Sequence, residues 1–272
     1  MNLNCTWGDT IMKHRMLAVA IAGLALPVCA LANSALDGTW KFDTSSPVVN
    51  KPEVFVLKAG SFRCDSCRPK INVKADGTDQ AVAGSPYYDT VSITAVDANT
   101  VNEVRKKAGK PVLTVSYVVA ADGKTMTEDS SDSTVSTEPI TGKADLKRVA
   151  KGPVGGEALS GSWLLTKVES ASDNGALITY KTDGNMLSMT SPTGQSFSAK
   201  LDGSEAPYNG DPGQSTVAVK KVSKMIYIET DKRGSKIISV ETYTISADGK
   251  SATVKWTDKL HGNSGHYVMV RQ

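Results

Sequence analysis

Two cysteines separated by two residues form the first motif of this sequence that could carry out chemistry. Cys64 and Cys67 enclose Asp65 and Ser66. Such a pair acts as a redox centre when a helix N-terminus lowers the pKa of one thiol, and it binds zinc when further ligands lie nearby. Here the flanking residues are typical of strands, and the equivalent segment of an internal repeat, 190–194, is a turn sequence. We therefore expect a Cys64–Cys67 disulfide that clamps a hairpin turn, and no metal at this motif.

Histidine offers the second route to chemistry. His261 and His266 are separated by a Gly-Asn-Ser-Gly segment that is typical of a hairpin loop. Two imidazoles hold a transition metal only with additional ligands, and the other copy of the repeat has no histidine at these positions. Nucleophilic catalysis needs a base beside the nucleophile, and no Gly-x-Ser-x-Gly segment is present. The sequence therefore predicts no metal, no cofactor and no enzymatic activity.

Three tyrosines in loops are the candidate ligand-binding residues. Tyr87 and Tyr88 follow Gly84-Ser85-Pro86, and Tyr208 precedes Gly210-Asp211-Pro212 in the matching loop. Exposed aromatic side chains on loops can grip a ligand or a protein partner. The interpretation that the sequence favours is nevertheless structural: these rings plug a barrel end.

The elements that must position these residues come from an internal repeat. Short motifs recur at nearly constant spacing along the chain, which is the mark of a duplicated unit. The matching pairs are Leu36-Asp37-Gly38-Thr39-Trp40 with Leu159-Ser160-Gly161-Ser162-Trp163, Ala121-Asp122-Gly123-Lys124 with Ala247-Asp248-Gly249-Lys250, and Glu103 with Glu229. We expect two domains, 33–149 and 158–272, joined by a Gly-rich linker at 150–157, because each copy is long enough to bury its own core.

The fold class follows from the spacing of strands and turns. Short β-branched and aromatic segments alternate with Asp-Gly pairs, which supply the positive φ that tight hairpins need. No segment after the N-terminal region has a helical period. We predict an all-β protein of two tandem, small, antiparallel up-and-down barrels of about eight strands each, because closure into a barrel removes exposed sheet edges.

A family resemblance supports the barrels. Gly38-Thr39-Trp40 opens the first repeat and Arg148 lies near its end, while Gly161-Ser162-Trp163 and Arg271 occupy the same places in the second. This arrangement resembles that of lipocalins, and the tandem chain resembles bacterial secreted lipocalin-like domains of unassigned function. The resemblance implies that a tryptophan of the first strand packs under an arginine of the last strand and closes the barrel floor in each repeat, with Trp40, Arg148, Trp163 and Arg271 in that role.

The N-terminal 32 residues are typical of a secretory signal peptide. A short basic region precedes the apolar stretch 16–26, and Ala30-Leu31-Ala32 has the pattern of a cleavage site. The apolar stretch is too short to span a bilayer as a helix. Residues 1–11 fit such a peptide poorly, so the hypothesis is that translation starts at Met12. We expect a bacterial protein that is periplasmic or secreted.

Composition narrows the function further. The chain has 272 residues and a net charge of +3, with acidic and basic side chains intermixed, so no basic stripe for nucleic acid is expected. The strands are too short and too polar for stable membrane insertion. The sequence favours a non-enzymatic binding module in which a barrel holds a small apolar ligand. The alternative is a protein-interaction or inhibitor module of the cell envelope that acts through loops 84–90 and 208–215.

Overall fold

The computed structural model describes residues 34–272, which are almost entirely β-structure. The predicted signal peptide and the proposed start at Met12 lie outside the described residues. Within the described part of the chain, no helix is long and apolar enough to cross a bilayer. The strands, in chain order, are β1 (Gly38–Phe42), β2 (Val48–Val49), β3 (Glu53–Lys58), β4 (Ser61–Cys64), β5 (Ile71–Lys74), β6 (Gln80–Ala81), β7 (Thr90–Ala95), β8 (Thr100–Lys107), β9 (Lys110–Val119), β10 (Thr125–Asp132), β11 (Ile140–Lys151), β12 (Gly161–Ala171), β13 (Leu177–Asp183), β14 (Met186–Thr190), β15 (Ser196–Lys200), β16 (Asp202–Pro207), β17 (Thr216–Lys221), β18 (Ile226–Arg233), β19 (Lys236–Ile245), β20 (Ser251–Asp258) and β21 (Asn263–Arg271); the short helix α1 (Asp173–Ala176) precedes β13.

The strands form two nearly closed antiparallel barrels in tandem, which confirms the predicted fold class. The first sheet has ten strands in the order β5-β4-β3-β12-β11-β10-β9-β8-β7-β6, and we call it barrel 1. The second sheet has eleven strands, and its order is β15-β14-β13-β1-β21-β20-β19-β18-β17-β16 with β2 added beside β21; we call it barrel 2. The expected number of about eight strands is low, because short segments such as Gln80–Ala81 pair as separate strands.

The two Gly-x-Trp strands are exchanged between the repeats. Strand β1, from the first repeat, lies between β13 and β21 of barrel 2, where Trp40 is opposite Ile178 on one side and Arg271 on the other. Strand β12, from the second repeat, lies between β3 and β11 of barrel 1, where Trp163 is opposite Arg148. Barrel 1 is therefore a continuous segment that runs from β3 to β12, and barrel 2 is built from both ends of the described chain.

This arrangement corrects the domain boundaries that the repeat suggested. The segment 150–157 does not link two domains, because it is part of the hairpin that joins β11 to β12 inside barrel 1. The physical reason is chain entropy. Pairing β11 with the strand that follows it closes a short loop, whereas pairing β11 with β1 would require closure of a long one. The connections that pass between the barrels are instead the β2–β3 segment and the segment that contains α1.

Each barrel floor is a tryptophan beneath an arginine, but the partners come from different repeats than the lipocalin resemblance implies. The guanidinium carbon of Arg271 lies 4.2 Å from the ring centre of Trp40. The corresponding distance from Arg148 to Trp163 is 4.0 Å. Both tryptophans are fully buried, and a guanidinium over an indole face is a favourable cation–π contact.

The two floors are alike in their hydrogen bonds as well. Arg271 donates to three backbone carbonyls, those of Ala35, Asp37 and Gly249. Arg148 likewise donates to three carbonyls, and these belong to Gly123, Ala158 and Ser160.

The glycine of each Gly-x-Trp motif is required by this close approach. Gly38 has a φ of +120° and Gly161 a φ of +148°, which side chains rarely adopt. A Cβ atom at Gly38 would lie 2.6 Å from Nη1 of Arg271, and one at Gly161 would lie 2.5 Å from Nη1 of Arg148. The motif is therefore explained by the barrel floor.

The floors continue into two separate apolar cores. The core of barrel 1 includes Leu159 and Trp163 with Phe55 and Phe62. The core of barrel 2 includes Leu36 and Trp40 with residues of the second repeat. In both barrels the indole nitrogen donates to the backbone carbonyl four residues earlier, at 2.8 Å. The exchanged strands thus carry a large part of the core of the barrel that they join.

Candidate functional site

The three tyrosines expected in loops lie together in a cleft between the two barrels. Tyr87 and Tyr88 reach this cleft from the β6–β7 loop of barrel 1, and Tyr208 reaches it from the β16–β17 loop of barrel 2. The cleft has a volume of about 680 Å³, which is within the range of small-molecule sites. The structure therefore brings the three sequence-derived candidates to one place, from segments far apart in the chain.

Tyr87 connects the barrels across the cleft. Its hydroxyl donates to Oδ1 of Asp211 at 3.0 Å and accepts from Nη2 of Arg233 at 2.7 Å. The guanidinium of Arg233 also lies 5.4 Å from the centre of the Tyr87 ring. Burial raises the pKa of Tyr87, and the carboxylate of Asp211 adds to the effect. Tyr87 is therefore a neutral bridge that holds loops 84–90 and 208–215 against each other.

Tyr88 lies deeper and is only 5% exposed. Its ring packs against Arg105, whose guanidinium carbon is 4.9 Å from the ring centre. Its hydroxyl has no hydrogen-bond partner among the described residues, and three more lining atoms share this condition. The four atoms are the hydroxyl of Tyr88, Oγ of Ser215, Oδ1 of Asp231 and Nε of Arg233. Buried polar atoms are nearly always paired, so four unpaired atoms on residues that line one cleft are unusual.

The interior of barrel 1 opens beside the cleft and contains a paired acidic group. Glu103 is 1% exposed. Its carboxylate accepts from Nε of Arg105 at 2.5 Å and from the hydroxyl of Tyr117 at 3.1 Å. Two further carboxylates, Glu53 and Glu128, line a cavity of about 930 Å³ at this mouth. Burial raises the pKa of Glu53 to about 8, with a further contribution from Glu128.

The interior of barrel 2 has a different composition. A cavity of about 290 Å³ is lined by Phe42, Tyr180, Tyr208, Tyr243 and Tyr267 together with Glu229 and Glu241. The Tyr243 hydroxyl donates to Oε2 of Glu241 at 2.6 Å. Burial raises the pKa of Glu229 well above its ordinary value, and the negative charges of Asp231 and Glu241 add to this.

The cavity of barrel 2 and the cleft are neighbours. Gln195 and Tyr208 line both of them, and Asp231, two residues beyond Glu229 on the same face of β18, faces the cleft. Burial raises the pKa of Asp231 to about 7. Asp231 in the wall of the cleft is therefore only two residues from Glu229 in the wall of the barrel 2 cavity.

No protein-family model and no curated protein sequence matches this chain.

The cysteine motif has the role that the repeat suggested. Cys64 and Cys67 form a disulfide at the turn between β4 and β5, which confirms the predicted bridge. Cys64 is buried in the core of barrel 1. Nη2 of Arg105 lies 4.0 Å from the sulfur of Cys67, so the bridge also packs against the arginine that pairs with Glu103.

The two histidines lie apart from each other. His261 is in the β20–β21 turn, where its ring contacts the carboxylate of Asp258. It is also one of the residues that line the cleft. His266 is an exposed residue of β21 opposite Val48. Within residues 34–272, no group of three or more His, Cys, Asp or Glu side chains is arranged to hold a metal ion.

Sequence reasoning missed the buried carboxylates as site residues. The match of Glu103 with Glu229 was visible in the repeat, but no role followed from it. The sequence did contain a sign of the burial of these glutamates. Both copies have a glutamate within a β-branched strand, at a position where the alternation of side chains points inward. Its partner could not be found from the sequence, because Arg105 of the first repeat corresponds to Asp231 of the second.

Proposed function

We propose that this chain is an exported, non-enzymatic binding module that takes a small polar molecule into the cleft between its two barrels. The observation that supports the proposal most is the convergence of Tyr87, Tyr88 and Tyr208 on one cleft. The wall of this cleft also contains the charged residues Arg105, Asp211, Asp231 and Arg233.

The chemistry of the cleft favours a polar ligand over the small apolar molecule expected from the barrel fold. The lining combines aromatic faces with the charged side chains of Arg105, Asp211, Asp231 and Arg233. An apolar molecule would cover these charged groups without pairing them. A molecule with both an apolar face and hydrogen-bonding groups satisfies the rings and the polar atoms together.

The alternative, a protein-interaction module that uses loops 84–90 and 208–215, receives less support. These loops face each other through the Tyr87–Asp211 hydrogen bond, and Tyr87 also accepts a hydrogen bond from Arg233 at the end of β18. Their aromatic side chains are turned into the cleft and are at least half buried. A protein partner would need these rings on an outward surface.

Filling the cleft tests the proposal. Val135→Trp places a large ring on the cleft wall, since Val135 lines it. Val96→Trp is the matched control, because Val96 is 54% exposed at the distant β7–β8 turn. Native mass spectrometry of gently purified residues 33–272, followed by solvent extraction, measures what is bound. We expect a stoichiometric small molecule on the parent chain and on the control, and its loss from Val135→Trp.

Two results would contradict the proposal. One is a bare polypeptide mass together with no thermal stabilisation by any compound of a polar metabolite library. The other is a bound molecule that Val135→Trp retains as well as the control does, which would place it outside the cleft.

A further inference from the structure

The two barrels share a buried glutamate but differ in what neutralises it. Glu103 of barrel 1 and Glu229 of barrel 2 occupy equivalent positions, opposite Val115 and Glu241 in the neighbouring strands. The irregularity in strand pairing confirms the equivalence, since it follows Arg105 in β8 and Asp231 in β18. Barrel 2 therefore carries an aspartate where barrel 1 carries an arginine.

The consequence is a buried salt bridge in barrel 1 that barrel 2 lacks. Nε of Arg105 lies 2.5 Å from the Glu103 carboxylate and forms a salt bridge with it. In barrel 2 no Lys, Arg or His is among the described residues that line the cavity. The Arg105 position adds another carboxylate there, and Oδ1 of Asp231 is buried without a hydrogen-bond partner in the described chain.

Glu229 has one long contact with a donor. It is 8% exposed, and Oε2 of its carboxylate lies 3.5 Å from the hydroxyl of Tyr243. The same hydroxyl lies 2.6 Å from Oε2 of Glu241. A tyrosine hydroxyl has one proton to donate, and the shorter contact takes it. Among residues 34–272, a carboxylate that is more than nine-tenths buried and lines the cavity therefore has no short hydrogen bond.

Five aromatic residues line the cavity together with the two glutamates, beside aliphatic and small polar residues. The five are Phe42, Tyr180, Tyr208, Tyr243 and Tyr267. Phe42 and Tyr267 meet edge to face with ring centres 5.3 Å apart, and Tyr180 and Tyr243 do so at 6.0 Å. Aromatic faces attract ammonium ions through the ring quadrupole, and this attraction grows when the ion is desolvated.

We infer that the second barrel binds a small organic ammonium ion, whose charge takes the place that Arg105 fills in the first barrel. The volume of about 290 Å³ suits an ion of few non-hydrogen atoms, because ligand cavities start near 300 Å³. Any larger remainder of the molecule extends past Tyr208 into the cleft. The inference rests on the proposed function and specifies the charge and the subsite of its ligand.

Tetramethylammonium, choline and putrescine are the probes for this site, and 3,3-dimethylbutan-1-ol is the neutral isostere of choline. Their affinities are measured by isothermal titration calorimetry and by thermal shift, with residues 33–272 freed of bound material. We expect at least one of the three cations to bind at least about tenfold more tightly than the neutral alcohol.

Three variants locate the binding. Glu229→Gln keeps the shape and removes the charge, so we expect it to weaken the cation at least about tenfold. Asp231→Arg supplies the counter-ion that barrel 1 has, and we expect it to abolish cation binding. Glu205→Gln is the control, since Glu205 is exposed, pairs with Lys232 and lies outside the cavity. A melting curve of each variant without ligand verifies folding, and Glu229→Gln carries the test if Asp231→Arg does not fold.

Three outcomes would overturn the inference: no binding of any of the three cations, equal binding of choline and the neutral alcohol, or equal cation affinity in Glu229→Gln and the parent chain. Each of these leaves the cleft proposal standing when a molecule retained by the parent chain is lost from Val135→Trp. Failure of the cleft proposal is recognised separately, by a bare native mass together with no thermal stabilisation by the metabolite library, or by retention in that variant.

Discussion

Replacing Arg148 by methionine removes a guanidinium from the floor of barrel 1 and keeps an unbranched apolar side chain there. Arg148 stacks over Trp163 at 4.0 Å. It also donates to the carbonyl oxygens of Gly123 and Ala158 at 2.5 and 2.6 Å, and to that of Ser160. Hydrogen bonds from charged donors contribute roughly 1.5–3 kcal/mol each when buried, and Arg148 is only partly buried. We expect Arg148→Met to lower the free energy of unfolding by about 3 kcal/mol.

The informative quantity is the coupling of this change to the tryptophans. A cation–π contact of a partly desolvated arginine contributes about 1 kcal/mol. A double-mutant cycle of Arg148→Met with Trp163→Phe is therefore expected to give a coupling energy of about 1 kcal/mol, and a cycle of Arg271→Met with Trp40→Phe should give a similar value. The cycle of Arg148→Met with Trp40→Phe pairs residues of different barrels, and it should be additive within about 0.5 kcal/mol.

Urea unfolding followed by circular dichroism measures all of these free energies. The cycles within one repeat, Arg148 with Trp40 and Arg271 with Trp163, serve as controls for the cycles across repeats. Coupling in the within-repeat cycles, together with additivity in the cross-repeat cycles, would refute the strand exchange and restore two sequential domains.

Three more predictions concern stability. The pKa of Glu53 is about 8 in the folded protein, so the folded state keeps a proton that the unfolded state loses, and the free energy of unfolding should fall as the pH rises from about 4.5 to about 8. In urea unfolding, Glu53→Gln should therefore be more stable than the parent chain by about 1–5 kcal/mol at pH 8 and equally stable at pH 4. An equal difference in stability at both pH values would contradict the burial of this carboxyl. Replacing Cys64 and Cys67 together by serine should lower the free energy of unfolding by only about 2 kcal/mol, because a disulfide that closes a very short loop restricts the unfolded chain little. Reducing agent should destabilise the parent chain and leave the double variant unchanged. Tyr87→Phe removes the hydroxyl between Asp211 and Arg233 and should lower the free energy of unfolding by about 1–2 kcal/mol in the same assay. Tyr208→Phe is the control, because the Tyr208 hydroxyl makes no hydrogen bond with the described residues. Equal stability of the two variants would show that the hydrogen bonds of Tyr87 contribute nothing to stability.

The fold class, the number of barrels and the four floor residues were predictable from the sequence, the floor residues through the lipocalin resemblance. Asp-Gly pairs between short alternating segments require hairpins, and each Gly-x-Trp copy comes with one arginine. The disulfide was predictable because Cys64 and Cys67 stand where the other repeat has a turn. The loop tyrosines were predictable as candidates, since Gly and Pro flank them in both copies, but not as neighbours.

The partner that each of the two similar strands takes became known from the tertiary structure alone. Strands β1 and β12 carry nearly the same motif, so either can lie beneath either arginine. The short β11–β12 hairpin settles the choice, and β1 then fills the opening beside β21. The exchange could not be read from the motif, because it depends on loop closure and not on the composition of the strand.

The missing counter-ion of Glu229 was also decided by the tertiary structure. In the sequence, Arg105 and Asp231 are two charged residues in charged segments that appear alike. Once the sheets close, both lie at the mouths of the barrels, two residues from a buried glutamate on the same face. Burial makes the sign of that single side chain matter, because a carboxylate that has lost its water needs either a proton or a cation.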